Sequence, residues 1–189
     1  MAMTVTRRKD TRTPRVFMHK IADIRGGVSV NVSELTQDYL PEGSILSVPV
    51  NGVSHVVKTA VLQADATNSA TDYKVLKGHN FKVGDVIMLA TSAKAYAITA
   101  ITTTNAAYDT LTVGTTLGLA ASAGAFLMEA AEAGASGSAF KYTPLALSGT
   151  GKPVIPNTNM DMDAWVIGVT KGNPLPDAVA TLLKGIINY

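Results

Sequence analysis

The chain reads as a mainly β protein, and three observations carry that reading. Short runs alternate apolar with polar residues, as in VSVNV at 28–32. β-Branched residues lie between closely spaced turn signals. An Asn51-Gly52 pair sits between two apolar runs. Alternation with a period of two buries one face of a strand and exposes the other. Asn and Gly both tolerate positive φ, which favours a type I′ hairpin. The expected architecture is a β-sandwich or barrel-like body carrying an inserted small β-module. An extended basic N-terminal arm and one C-terminal amphipathic helix complete it.

Residues 1–15 (MAMTVTRRKDTRTPR) have no periodic apolar face and contain Pro14, so they read as extended. Residues 16–24 can form a strand closed by Gly26-Gly27, and Ser33 can cap a short helical turn through Leu35. Strands are expected at 45–50 and 53–64, before a spacer rich in Ala, Thr, Asn, Ser and Asp at 65–72. A second block follows, with strands at 73–76, 86–89, 94–103 and 110–113 and turns at Lys77-Gly78, Asn105 and Asp109. Residues 117–133 are alanine-rich but contain Gly118 and Gly124, and read as another hairpin. AGASGS at 133–138 reads as a flexible linker. Apolar runs return at 142–147, 154–155 and 164–170, the last holding Trp165, the only tryptophan. After Pro174 and Pro176, DAVATLLKGI places Val179, Leu182, Leu183, Ile186 and Ile187 on one helical face, with Asp177 at the positive end of the dipole. The resulting division is an arm at 1–25, a discontinuous body at 26–65 and 139–189, and an inserted module at 70–132.

Charge is distributed unevenly. All five arginines fall in the first 25 residues, where seven basic and two acidic side chains give +5; the remaining 164 residues carry −3. Arginine presents a planar, permanently charged fork of donors suited to carboxylates and phosphates, so its confinement to one end marks a docking device. The candidate contact residues are Arg7, Arg8, Lys9, Arg12, Arg15 and Phe17. Charged residues make up 16% of the chain, against about 25% in an ordinary soluble domain, and no run of roughly 18 apolar residues occurs. The low charge is therefore read as surface buried between subunits rather than in a membrane. The helix residues Val179, Leu182, Leu183 and Ile186 are candidates for the core or such an interface. Residues 1–15 lack the apolar stretch of a signal peptide, so the expected place of synthesis is a cytoplasm.

No catalytic, cofactor or metal site is expected. There is no cysteine, and His19, His55 and His79 come from separate segments without metal-ligand spacing. The Asp161-x-Asp163 stretch lacks the Gly and Glu of a calcium loop and reads as an acidic turn. Gly149-Thr150-Gly151-Lys152 is followed by Pro153 where a P-loop needs a hydroxyl, and GASGS at 134–138 is not a nucleophile elbow. Aromatic residues do not interleave with Arg7 to Arg15, so a protein surface is preferred to nucleic acid as the target of the arm.

GVSVNVSELTQDYLPEGSIL at 27–46, HVVKTA at 55–60 and DAWVIGVTKGNPLPDAVATLLKGIINY at 163–189 resemble head-decoration or head-fibre proteins of tailed bacteriophages. The resemblance implies a non-enzymatic auxiliary protein on the outer surface of the virion capsid, assembled as a homo-oligomer, with a trimer expected. Its partner would be the major capsid protein, and its role shell stabilisation or adhesion to a host surface through the β-module. The chain lacks fibrous repeats and heptads, so a short decoration is expected rather than a long fibre. The alternative is a nucleic-acid-associated structural protein that grips phosphates with the same arm.

Overall fold

The computed structural model describes residues 15–189. The chain is mainly β, built from several antiparallel sheets. Its strands are β1 (Phe17–Asp23), β2 (Val28–Val30), β3 (Tyr39–Leu40), β4 (Ile45–Ser47), β5 (Thr59–Val61), β6 (Asp72–Leu76), β7 (Val86–Met88) and β8 (Ala95–Thr102). They continue with β9 (Tyr108–Val113), β10 (Phe126–Glu129), β11 (Pro144–Ser148), β12 (Lys152–Pro153), β13 (Met160–Met162) and β14 (Ala164–Thr170). One helical turn, α1 (Asp177–Ala180), precedes β15 (Ile186–Asn188).

Two sheets dominate. The first runs β1-β14-β11-β4, with β15 added in parallel beside the end of β14. The second runs β5-β10-β7-β8-β9-β6 and draws all its strands from residues 59–129. β5 thus belongs to the second sheet, although its residues fall in the 26–65 segment assigned to the body. That sheet curls so that Leu62, one residue past β5, makes a single isolated bridge to Val75 of β6, while β5 and β6 themselves do not pair and no barrel closes. The short pairs β12-β3 and β13-β2 complete the topology.

Cores form where the alternation predicts. Inside the six-stranded sheet, Leu62, Tyr73, Val75, Phe81, Ile87, Leu111 and Leu127 pack together without solvent contact. Burying each such side chain contributes about 1.5–3 kcal/mol. A second cluster holds Val30, Leu40, Leu46, Ala146, Met162 and Ala164. A third gathers Phe17, Ile45, Val57, Leu147, Val179 and Leu183. The expected hairpin is present, with Asn51 and Gly52 at φ 52° and 82° and a bridge from Val50 to Val53.

Four local expectations are corrected. The C-terminal helix is one turn, and Ile186 and Ile187 lie in β15 instead, paired with Gly168 and Val169. Residues 117–133 form no hairpin: Gly118 and Gly124 take positive φ, and only β10 is a strand there. The segment read as a flexible linker is hydrogen-bonded to its neighbours, through Gly134 with Ala95 and Gly137 to Ser92. At 31–35 the capping oxygen belongs to Asn31, whose Oδ1 accepts from the Ser33 N–H at 2.8 Å.

Candidate functional site

The basic segment enters the fold at Arg15, which is exposed, while Arg7, Arg8, Lys9 and Arg12 lie outside the described residues. Val16 and Phe17 are buried directly after it. The Phe17 N–H donates to Glu42 Oε1 at 3.1 Å, and its ring lies 6.3 Å from that of Trp165. Gly168 makes this possible, since a Cβ there would come within 2.8 Å of the Phe17 ring. Phe17 is therefore placed by packing, and β1 is a strand of the sheet. Residues 17–23, expected in the arm at 1–25, therefore lie in the sheet, and 1–14 lie outside the described residues. Lys20 is likewise engaged: its ammonium donates to the Gly149 carbonyl and lies 5.5 Å from the ring centres of Phe17 and Trp165.

The helix candidates separate. Val179 and Leu183 are buried in the third cluster, Ile186 is half-buried beside it, and Leu182 is exposed. Spacing by four keeps Val179 and Leu183 on one side of the turn.

A charge cluster that sequence reading did not identify lies where the chain crosses between the two main sheets. The segment beside β4 leaves for β5 at Lys58, and the return from β10 to β11 carries Glu129, Lys141 and Tyr142. Lys58 Nζ donates to Asp85 Oδ2 at 2.7 Å and lies 3.3 Å from Glu129 Oε1. Lys141 Nζ donates to Glu129 Oε1 at 2.9 Å and Glu34 Oε1 at 3.3 Å. The Tyr142 hydroxyl donates to Glu34 Oε1 at 2.8 Å, and His55 Nδ1 lies 3.1 Å from Glu34 Oε2. The His55 and Tyr142 rings stack at 3.9 Å. A second tie joins Asn80 Oδ1 to the N–H groups of Thr36 and Gln37.

Burial and pairing set the protonation of this cluster. Burial pushes the Glu129 carboxyl above its ordinary value, only partly offset by the hydrogen bond from Lys141 and the charge of Lys58; Glu129 Oε2 is buried without a hydrogen-bond partner. Burial also acts to raise Glu34, but the Tyr142 hydrogen bond, the Lys141 charge and the His55 contact outweigh it and hold Glu34 low. Burial and then the Glu34 hydrogen bond push Tyr142 up to about 12. Burial would lower Lys141, yet Glu129 and then Glu34 hold it above its ordinary value. Lys58 Nζ is thus held between the carboxyl groups of Asp85 and Glu129, an arrangement that joins these segments.

The remaining motifs take structural places. His79 Nδ1 accepts from the Phe81 N–H at 3.2 Å, and Nε2 faces Asp109 Oδ2 at 3.3 Å. Asp163 Oδ2 accepts from Trp165 Nε1 and the Thr150 hydroxyl. Among the described residues, no group of three His, Asp or Glu side chains could hold a metal ion, and no helix is long and apolar enough to cross a membrane. No protein family, no curated protein and no solved structure matches this chain.

Proposed function

We propose that this chain is a non-enzymatic structural protein of a tailed-phage virion, decorating the outer surface of the capsid as a head-fibre or auxiliary capsid protein. The observation that carries the reading is the junction at Arg15. A segment with four arginines runs directly into Val16 and Phe17, which the core holds fast. A cationic tether rooted in a rigid sheet transmits load to whatever its arginines grip, through charge-assisted bonds to carboxylates or main-chain oxygens. The resemblance of 27–46, 55–60 and 163–189 to head-decoration proteins supports the same reading. In it the partner is the major capsid protein, the first sheet belongs to the sandwich or barrel-like body, and the second sheet is the inserted β-module, presented outward for shell stabilisation or host adhesion. Self-association as a trimer belongs to the same proposal.

Co-sedimentation with assembled empty capsids, at low and high salt, tests this with the full chain and a form lacking residues 1–14. Stoichiometric binding lost with the segment is the expected result. Retention on DNA instead, with a salt dependence that lessens with each arginine removed, would replace the reading with the nucleic-acid alternative.

A further inference from the structure

The first sheet buries both faces of β4 and β11, but the corner formed by β1, the end of β14 and β15 is left exposed on one face. Opposed residues on neighbouring strands point to the same side. On β1 and β14 the partners are Phe17 with Thr170, His19 with Val169, Lys20 with Gly168, Ala22 with Ile167 and Asp23 with Trp165. Met18, Ile21 and Val166 have no opposite number, so each is bulged. The bulge at Val166 changes the alternation of β14: Trp165 turns into the third cluster, and Ile167 turns away from it. On the other flank of β14, Ile187 of β15 lies beside Val169. His19, Val169 and Ile187 thus form one row across three strands, with Ala22 and Ile167 in the next. Ile167 is 43% exposed and Ile187 63%, and the bulged Met18 and Ile21 are 53% and 65% exposed along the β1 edge. Scattered apolar residues on a surface need no explanation, but a contiguous set across three strands does.

The charges around this face are mostly of one sign. The three strands and their flanking residues carry Arg15, Arg25, Lys171 and Lys184 against Asp23, while Lys20 turns to the other face, over the Phe17 and Trp165 rings and beside Asp163. Asp163 is bonded to Trp165 and Thr150 and is 4.0 Å from Lys20, so it does not balance the rim. Lys171 lies 5.7 Å over the ring of Tyr189, itself exposed, at the same end of the sheet as Arg15. Gly185 packs against Ile167, which puts Lys184 beside the bare face.

We propose that the face of β1, β14 and β15 around Ile167 and Ile187 is a second docking surface, and that its occupant is an acidic protein surface with an apolar centre. The sign of the rim argues against this patch pairing with itself: in a two-fold contact Arg25, Lys171 and Lys184 would oppose like charges, and a trimer's head-to-tail contacts do not pair a patch with its own copy. An acidic partner meets the same rim with opposite charge and covers the isoleucines. Taken with the decoration reading, on which the partner's identity rests, the capsid shell supplies that surface. The chain then holds the shell by a broad footprint that begins with the arginine segment and continues over the sheet it enters.

The test is binding to assembled empty capsids by the full chain, by I167T/I187T and by K171E/K184E, each first shown to melt like the wild type. Threonine keeps the β-branched shape, so the strands persist while apolar contact is lost. Both variants are expected to bind about tenfold or more weakly with residues 1–14 intact. Wild-type binding by both variants, in a chain whose binding is lost with residues 1–14, overturns this surface and leaves the decoration reading standing. No binding by the full chain overturns the decoration reading and its shell occupant together. A wild-type oligomer that I167T/I187T dissociates, with shell binding unchanged, overturns the acidic partner in favour of a second copy.

Discussion

Lys58 and Glu129 face each other at 3.3 Å with side chains 1% and 2% exposed, at the point where the chain passes from one main sheet to the other. Their backbones are joined as well, the Glu129 N–H donating to the Lys58 carbonyl. Charges removed from water are costly unless paired, so this pair specifies where the two crossing segments meet. Asp85, Lys141 and Glu34 extend it to the loops on either side.

Removing the ammonium should therefore cost far more than a surface ion pair. K58M leaves Asp85 and Glu129 facing an apolar side chain, with an expected loss of about 3–5 kcal/mol. Urea unfolding of the variant measures it. The double variant K58M/E129Q should recover part of the loss, because only one of the two acids that faced Lys58 then remains. A loss below about 1 kcal/mol for K58M would show that the cluster is solvated in solution.

The same cluster sets a pH dependence whose sign differs between buried Glu129 and half-buried Glu34. Glu129 has a folded pKa raised above the ordinary 4.5, so its contribution is full below 4.5 and is lost as the pH rises through the folded value. Glu34 is held below 4.5, so its contribution is present above 4.5 and is lost as the pH falls through its folded value. His79 is lowered from 6.5 by burial, partly offset by Asp109, and favours the fold at higher pH, losing that contribution as acid charges it. The diagnostic quantity is therefore the difference in Tm between wild type and E129Q. It should shift in favour of the wild type as the pH falls through the raised Glu129 value toward 4.5, while E34Q should flatten only the limb below 4.5. A pH-independent difference for E129Q would remove Glu129 as the titrating group.

Much of the fold was legible in the sequence because it is written locally. Asn51-Gly52 dictates its hairpin from two residues, and the strands expected at 73–76 and 110–113 appear as β6 and β9, each burying every second side chain, although Asp109, expected in a turn, lies within β9. The C-terminal segment was misread because Val179 and Leu183 satisfy a helical period over one turn, while Ile186 and Ile187 gain more by pairing with β14. Low-complexity composition at 133–138 said nothing of the hydrogen bonds that pin it to Ala95 and Ser92. The charge cluster had no spacing to betray it, since Glu34 and Lys141 are 107 residues apart. Its one local trace is a charged residue inside an apolar run, Lys58 in HVVKTAVL and Glu129 in FLMEAA. The bare face is equally hidden, because bulges at Met18, Ile21 and Val166 reverse the alternation from which a face would be read.

The contact between Phe17 and Gly168 separates packing from docking at the root of the basic segment. Phe17 is 9% exposed, and F17A should cost about 3–5 kcal/mol by leaving a cavity against Leu147, Val179 and Trp165. G168A should cost about 1–3 kcal/mol for the opposite reason, since the new methyl would meet the Phe17 ring at 2.8 Å and the His19 carbonyl at 2.9 Å. If the ring is the main obstacle, the two losses cannot add: in F17A the methyl at 168 enters space already vacated. The double variant F17A/G168A should then be more stable than the sum of the single losses predicts, by about 1 kcal/mol in a thermodynamic cycle from urea unfolding. Strict additivity would mean that the His19 backbone, and not Phe17, excludes a side chain at 168.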